Sequence, residues 1–255
     1  MDQFVLYVGT AVKDPNIGEV ADAAVQTVFY QKDFIEALVD QPHLVGAAVL
    51  VTEIDEEWSA LLDSVTRSFP LLPLLVAAAN HVNANLPEVS SITAVTIDAS
   101  DRSSVKQILE RFLSEPGPRD RREHHRFDFP LQARLHSSDE PLHDIRQISA
   151  GGAFLVPGGN TPPTGTECEI EILFQNFAIN TVCKILDPRD SSSNLGPGFG
   201  IRFTSLSPAA ASFIDRMVQD ALVAVLTDPD QEPAVPTLDE DADLLSIGDE
   251  FTLEI

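Results

Sequence analysis

The sequence predicts two domains of different class: an N-terminal α/β domain on a parallel sheet with helices on both faces, then a small antiparallel barrel closed by a helix. Two patterns predict this. Apolar runs alternate with helical periodicity up to residue 115, as in a parallel sheet with right-handed crossovers. From residue 131, short alternating strands with frequent turn signals take over. Charge marks the same boundaries. Residues 1–115 carry 17 acids and 6 bases, residues 116–226 carry 13 and 10, and residues 227–255 carry ten acids and no base. The expected division is therefore an α/β domain at 1–115, a basic hinge at 116–130, the barrel and its helix at 131–226, and an acidic disordered tail at 227–255. A chain of 255 residues has room for two such domains at about 100–200 residues each.

In the first domain, FVLYVG (4–9) is a short apolar run ended by glycine, as in a buried strand. Residues 18–24 read as a helical turn, and TVFYQ (27–31) is rich in strand formers. KDFIEALVDQ (32–41) places Phe34, Leu38 and Val39 at helical spacing, and Pro42 stops it. LVGAAVLVT (44–52) is continuously apolar, the pattern of a strand covered on both faces. DEEWSALLDSVTRSF (55–69) opens with acids, which suit a helix N-terminus, and puts Trp58, Leu61, Leu62 and Val65 on one face. LPLLVAAA (72–79) and ITAVTIDA (92–99) are further buried strands, and SSVKQILERFL (103–113) is a helix with Ile108, Leu109 and Phe112 inward.

This order resembles the receiver domains of two-component signalling. The resemblance implies acids after the first strand to hold magnesium, an aspartate ending the third strand and a lysine after the fifth. The corresponding places hold Gly9 and Thr10, Thr52, and Asp98; Glu53 and Asp55 lie one and three residues too far along. Magnesium requires carboxylate oxygens that Gly9 and Thr10 lack. The expectation is a pseudo-receiver used for contacts, not a phosphorylated response regulator.

SEPGP (114–118) breaks the last helix with two prolines and a glycine. Arg119, Arg121, Arg122 and Arg126 follow within eight residues and hold a quarter of the chain's Lys and Arg. Leu131, Ala133 and Leu135 then alternate with polar residues; IRQISAGGAFLV (145–156) reads as strand, small-residue turn and strand. ECEIEILF (167–174) alternates strictly, FAINTVCKIL (177–186) is the next strand, and GPGFGIRFTSL (196–206) the last. A helix at 208–226 carries Phe213, Met217 and Leu222 close to one stripe.

Two spaced motifs lie in this segment: RxxxR as Arg122-Glu-His-His-Arg126, and Gln147-Ile-Ser149-Ala-Gly-Gly152 in the place of (D/N)xSxxG, with GFGIRFTSLSP (198–208) beyond. Residues from about 119 to 226 resemble PilZ, the bacterial receptor domain for cyclic di-GMP. The resemblance implies a six-stranded antiparallel barrel with a C-terminal helix. It also implies a ligand presented as a self-stacked dimer and bound by Arg122, Arg126, Gln147, Ser149 and Gly152. Guanidinium is a planar, permanently charged fork that matches phosphate and the O6/N7 edge of guanine. Ser149 offers a hydroxyl that donates or accepts, and Gly152 lets the backbone come close. Gln147 departs from the motif: its single carbonyl on a longer stem replaces the two acceptors of aspartate, at a cost of about 1–3 kcal/mol in base recognition.

Arg119 and Arg121 are further candidates for phosphate, or plain linker charges. His124 and His125 are expected as exposed spacers, with stacking on guanine as the alternative. Arg202 is expected to pair with Glu171 across the barrel, or else to approach the site. Cys168 and Cys183 read as small apolar residues in adjacent strands. No acid pair, His/Ser pair or phosphate loop points to catalysis, and no cofactor or metal is expected.

The net charge of −24 opposes nucleic acid and anionic membrane as partners. With no basic leader and no uninterrupted apolar span, the expected location is the cytoplasm. The tail sets Leu244, Leu245, Ile247, Phe251, Leu253 and Ile255 among its acids. It reads as a solubilising tail, as a short motif that orders on a protein partner, or as a segment that folds back on the arginines. The expected function is a cyclic di-GMP effector that signals to a protein partner through the tail or the N-terminal domain. The alternative is a PilZ-fold adaptor that has lost the nucleotide, which Gln147 favours.

Overall fold

The computed structural model describes residues 3–9, 19–20, 23–41, 44–79, 91–96, 102–114, 123–136, 142–159, 161–190, 195–231, 233–237 and 251–253. The chain divides into two compact units: Met1–Glu123 with Leu222–Glu232, and His124–Ala221 with Pro233–Ile255.

The first unit contains β1 (Gln3–Val8), β2 (Glu19–Val20), β3 (Ala23–Val28), α1 (Gln31–Asp40), β4 (Leu44–Val51), α2 (Glu56–Ser68), β5 (Leu74–Ala78), β6 (Ile92–Thr96) and α3 (Arg102–Ser114). Its sheet runs β2-β3-β1-β4-β5-β6. The five strands from β3 to β6 are parallel; β2 is a two-residue antiparallel addition at the edge. Taken in chain order the parallel strands lie 2-1-3-4-5, a doubly wound arrangement. Alternation along β1 distributes the core to both faces. Phe4, Leu6 and Val8 pack with Val105 and Leu109 of α3. Tyr7 points the other way, its ring centroid 4.6 Å from Trp58 of α2 and 6.0 Å from Phe34 of α1.

Three details differ from the sequence expectation. The helical turn expected at 18–24 is β2 and the start of β3, because hydrogen bonding in register with β1 (Gln3 opposite Ala24) overrides the helical preference of alanine. The strand expected at 27–31 ends at Val28, leaving Phe29 and Tyr30 exposed at 55% and 71%. β6, read as buried, is an edge strand with Thr93, Ala94 and Thr96 exposed. Asp55 is occupied structurally: its carboxylate accepts from the Trp58 N–H at 2.9 Å and caps α2.

The second unit is a closed six-stranded antiparallel barrel and a helix. Its strands are β7 (Leu131–Leu135), β8 (His143–Ser149), β9 (Gly152–Val156), β10 (Glu167–Leu173), β11 (Phe177–Arg189) and β12 (Gly198–Phe203). They run β10-β7-β8-β9-β12-β11, and β10 pairs with β11 to close the ring. Closure removes the unpaired edges that an open sheet of this size presents. Leu131, Ala133, Leu135, Ile145, Ile148, Leu155, Ile170, Ile172, Ile185 and Ile201 are among its buried residues. Cys168 and Cys183 lie directly opposite each other, buried, with Sγ atoms 3.7 Å apart. Burial and the neighbouring sulfur raise the Cys183 thiol far above the ordinary range, so it is a neutral packing group.

Helix α4 (Pro208–Thr227) begins at Ser207, whose Oγ accepts from the Ala210 N–H at 3.1 Å. Its Phe213 meets Phe174 and Phe177 edge-on, while those two rings stack 4.3 Å apart. Within the acidic C-terminal segment, read as a disordered tail, Phe251–Leu253 form a strand, β13. It pairs antiparallel with Phe177–Ile179 of β11, before the point at Cys183 where the β12 pairs begin. Leu244 and Leu245 lie outside the described residues. Among the described residues, no helix is long and apolar enough to cross a membrane.

Candidate functional site

The last residue of the first motif, Arg126, lies next to a bridge to β8, the strand on which the second motif begins. Arg126 is exposed and immediately precedes Phe127, which bridges to Ile148: Phe127 N–H donates to the Ile148 carbonyl at 3.1 Å and Ile148 N–H returns the bond at 2.9 Å. This short ladder fixes where the arginine loop joins the barrel. The Phe127 ring packs 4.8 Å from that of Phe129, which is buried. Arg119, Arg121 and Arg122 lie outside the described residues.

A bulge in β8 aims the second motif. Ile145 pairs with Leu155 and Gln147 with Phe154, so Arg146 is the extra residue and the register shifts there. Side chains alternate along a strand, and a bulge lets two neighbours leave on the same side. Arg146 and Gln147 are accordingly exposed and half-exposed, while Ile145 and Ile148 are buried in the barrel. Ser149 is buried; its hydroxyl donates to the Gly152 carbonyl at 3.1 Å. That bond commits the only donor of Ser149 and leaves its lone pairs as acceptors.

Gly152 is required by the barrel itself. Its φ is +153°, and a Cβ there would stand 2.1 Å from the Ile201 carbonyl oxygen of β12. The close approach it permits is therefore between β9 and β12, where the sequence reading gave it to a ligand. Gly151 is different: a Cβ would touch only His124 Cδ2 at 3.3 Å and Ser149 Oγ at 3.9 Å.

That contact places His124 over the glycine turn. Its Nδ1 lies 3.1 Å from an Asp215 carboxylate oxygen of α4, both side chains about one-third exposed. His125 is half-buried. Neither histidine is the exposed spacer expected: the first ties the arginine loop to α4. Asp215 and Arg146 carry no sequence signal of their own; only the packing of α4 and the bulge bring them here. Partial burial raises the Asp128 carboxyl above its ordinary value, with the Arg146 charge pulling the other way.

Arg202 does not pair with Glu171. That carboxylate is taken by Arg134 at 2.7 Å, because β10 neighbours β7 at this point, with Glu171 opposite Arg134. Arg202 lies on β12, which pairs with β9 and β11 and places it opposite both Gly152 and Lys184.

A family model described as PilZ domain matches residues 120–220. These residues form a PilZ domain. The match spans the arginine loop from Arg121, all six barrel strands and α4 as far as residue 220. Among solved structures, the PilZ-containing chain is similar to the Bacillus subtilis inhibitor of motility MotI/DgrA: 14% identity, TM-score 0.38, 46% of this chain and 57% of that one. It is also similar to YcgR from Escherichia coli in complex with c-di-GMP: 16% identity, TM-score 0.37, 45% and 54%. The isolated YcgR PilZ domain with c-di-GMP aligns over all of its length and 44% of this chain at 17% identity and a TM-score of 0.35. The chain thus spans little more than half the length of the first two. No curated protein matches it.

Proposed function

We propose that the PilZ domain is a receptor for cyclic di-GMP in a cytoplasmic effector that passes the second-messenger level to a protein partner. The observation that carries this reading is the Phe127–Ile148 bridge, which joins the arginine loop to the strand bearing Gln147 and Ser149. Arg126, with Arg122 and the flanking Arg119 and Arg121, supplies the phosphate-binding forks. Gln147 and the accepting lone pairs of Ser149 read a guanine edge, and Gly152 holds the strands beneath them together. The ligand enters as a stacked dimer, and the protein performs no chemistry on it.

Because the arginine loop crosses the boundary between the two units in sequence, ordering residues 119–126 around the nucleotide changes the relation between the two units and the surface offered to a partner. The ligand can drive that change only by its preference for one state. Small-angle scattering profiles with and without nucleotide are expected to differ; superimposable profiles refute the mechanism.

Calorimetric titration of cyclic di-GMP into the wild type and Arg126→Ala tests the receptor reading. Loss of a charged fork costs about 1.5–3 kcal/mol, so affinity should fall about tenfold to more than a hundredfold. Equal affinities overturn the role of Arg126. Absence of binding in the wild type favours the second reading, a PilZ adaptor working through protein contacts alone, for which Gln147 is the specific observation. In that case Gln147→Asp is expected to restore binding.

A further inference from the structure

We propose that Arg202, seconded by Lys184, is a further ligand-binding residue of this site, taking a phosphate or a guanine acceptor edge of the cyclic dinucleotide. The inference rests on the receptor reading and extends it by one strand pair beyond the two motifs.

Registers across the barrel carry the argument. Ser149 stands opposite Gly152, Gly152 opposite Arg202, Arg202 opposite Lys184, and Lys184 opposite Glu167. Directly paired residues share a face. The neighbouring row (Ile148, Ala153, Ile201, Ile185) is buried in the barrel, so this row belongs to the outer surface. Gln147, two residues before Ser149, lies on that same surface, with Phe154 and Gly200 opposite in sequence. Arg202 therefore shares a face with both motif side chains. Strands lie about 4.8 Å apart, which sets its Cα roughly 10 Å from that of Ser149, within the span of a dinucleotide.

The surroundings of Arg202 are built for approach. Gly152 beside it offers no side chain, and Gly200 two residues earlier on its own strand lies against the Leu186 side chain. Across β11 it faces Lys184, also exposed, and like charges directly opposite each other destabilise a sheet. Glu167 stands beyond Lys184, on the side away from Arg202. In a chain of net charge −24, two adjacent exposed cations beside a glycine turn form a local anion-attracting surface that a phosphate would relieve.

The test titrates cyclic di-GMP into the full chain as wild type, Arg126→Ala, Arg202→Gln and Arg202→Lys. Arg202→Gln is expected to weaken binding by about tenfold to a hundredfold, with Arg202→Lys between, since lysine keeps the charge and loses the fork. Arg202 is exposed, so the melting temperature without ligand should not fall. Arg202→Gln within about twofold of the wild type, while Arg126→Ala loses binding, overturns this proposal and leaves the receptor reading standing. A wild type that binds nothing overturns both.

Discussion

Gly152→Ala separates the structural from the recognition role of the second motif. Alanine needs a Cβ 2.1 Å from the Ile201 carbonyl oxygen, and its φ of +153° is one that side-chain-bearing residues rarely adopt. The φ alone costs about 1–3 kcal/mol. Opening the β9–β12 ladder enough to relieve the overlap adds about 1–3 kcal/mol, for a total of roughly 2–6 kcal/mol. For a domain of this size that lowers the melting temperature by about 10 °C or more. Gly151→Ala is the internal control. Its Cβ meets the edge of His124 at 3.3 Å, which a small rotation of the ring relieves, so the melting temperature should barely move. Thermal unfolding followed by far-ultraviolet circular dichroism checks both. If Gly152→Ala melts with the wild type, the close approach of β9 to β12 is refuted, and with it the account of why glycine stands there.

Two further expectations concern the arginine loop. Asp128 is raised above its ordinary carboxyl value by partial burial, so the folded chain holds its proton more tightly than the unfolded chain. Its contribution to stability is present below the ordinary aspartate range and is lost as pH rises through the raised value. Asp128→Asn should therefore raise the melting temperature at neutral pH and lose that advantage in acid; a gain that persists undiminished in acid refutes the reasoning. His124→Ala and Asp215→Asn should each change stability by at most about 1 kcal/mol, since the pair is partly exposed. Both should weaken nucleotide binding by up to about fivefold, and the double variant no further than either single one; additive losses in a calorimetric cycle show that the two do not act together.

Much of this architecture is legible in the amino acids, and where it is not the reason is physical. ECEIEILF reads as a strand with one wet face because its period is two, and the structure buries Cys168, Ile170 and Ile172 accordingly. The helix at 103–113 reads from its apolar spacing, and Leu109 is buried where that spacing puts it. The start of β3, residues 23–26, is not legible, because alanine favours a helix until a neighbouring strand supplies hydrogen bonds. The site divides in the same way. Its local motifs, Arg126 and the Gln147–Gly152 turn, stand in the sequence, yet what surrounds them is set by contacts between distant residues. Asp215 reaches His124 across 91 positions, and Arg202 reaches Gly152 through strand register. A single-residue bulge at Arg146 reverses which side chains face outward, and no local pattern announces it.

The ring cluster of Tyr7, Phe34 and Trp58 gives the molecule a property beyond packing. Trp58 is the only tryptophan, and the two tyrosines, Tyr7 and Tyr30, share its unit, whereas the barrel's rings are phenylalanine and histidine. Tryptophan emission therefore reports on the first unit alone, and the barrel is dark. Nucleotide added to the intact chain can alter Trp58 emission, beyond simple absorption of light, only if the event in the barrel is felt in the first unit. The chain thus carries its own label for communication between the two units, in the unit that does not hold the barrel.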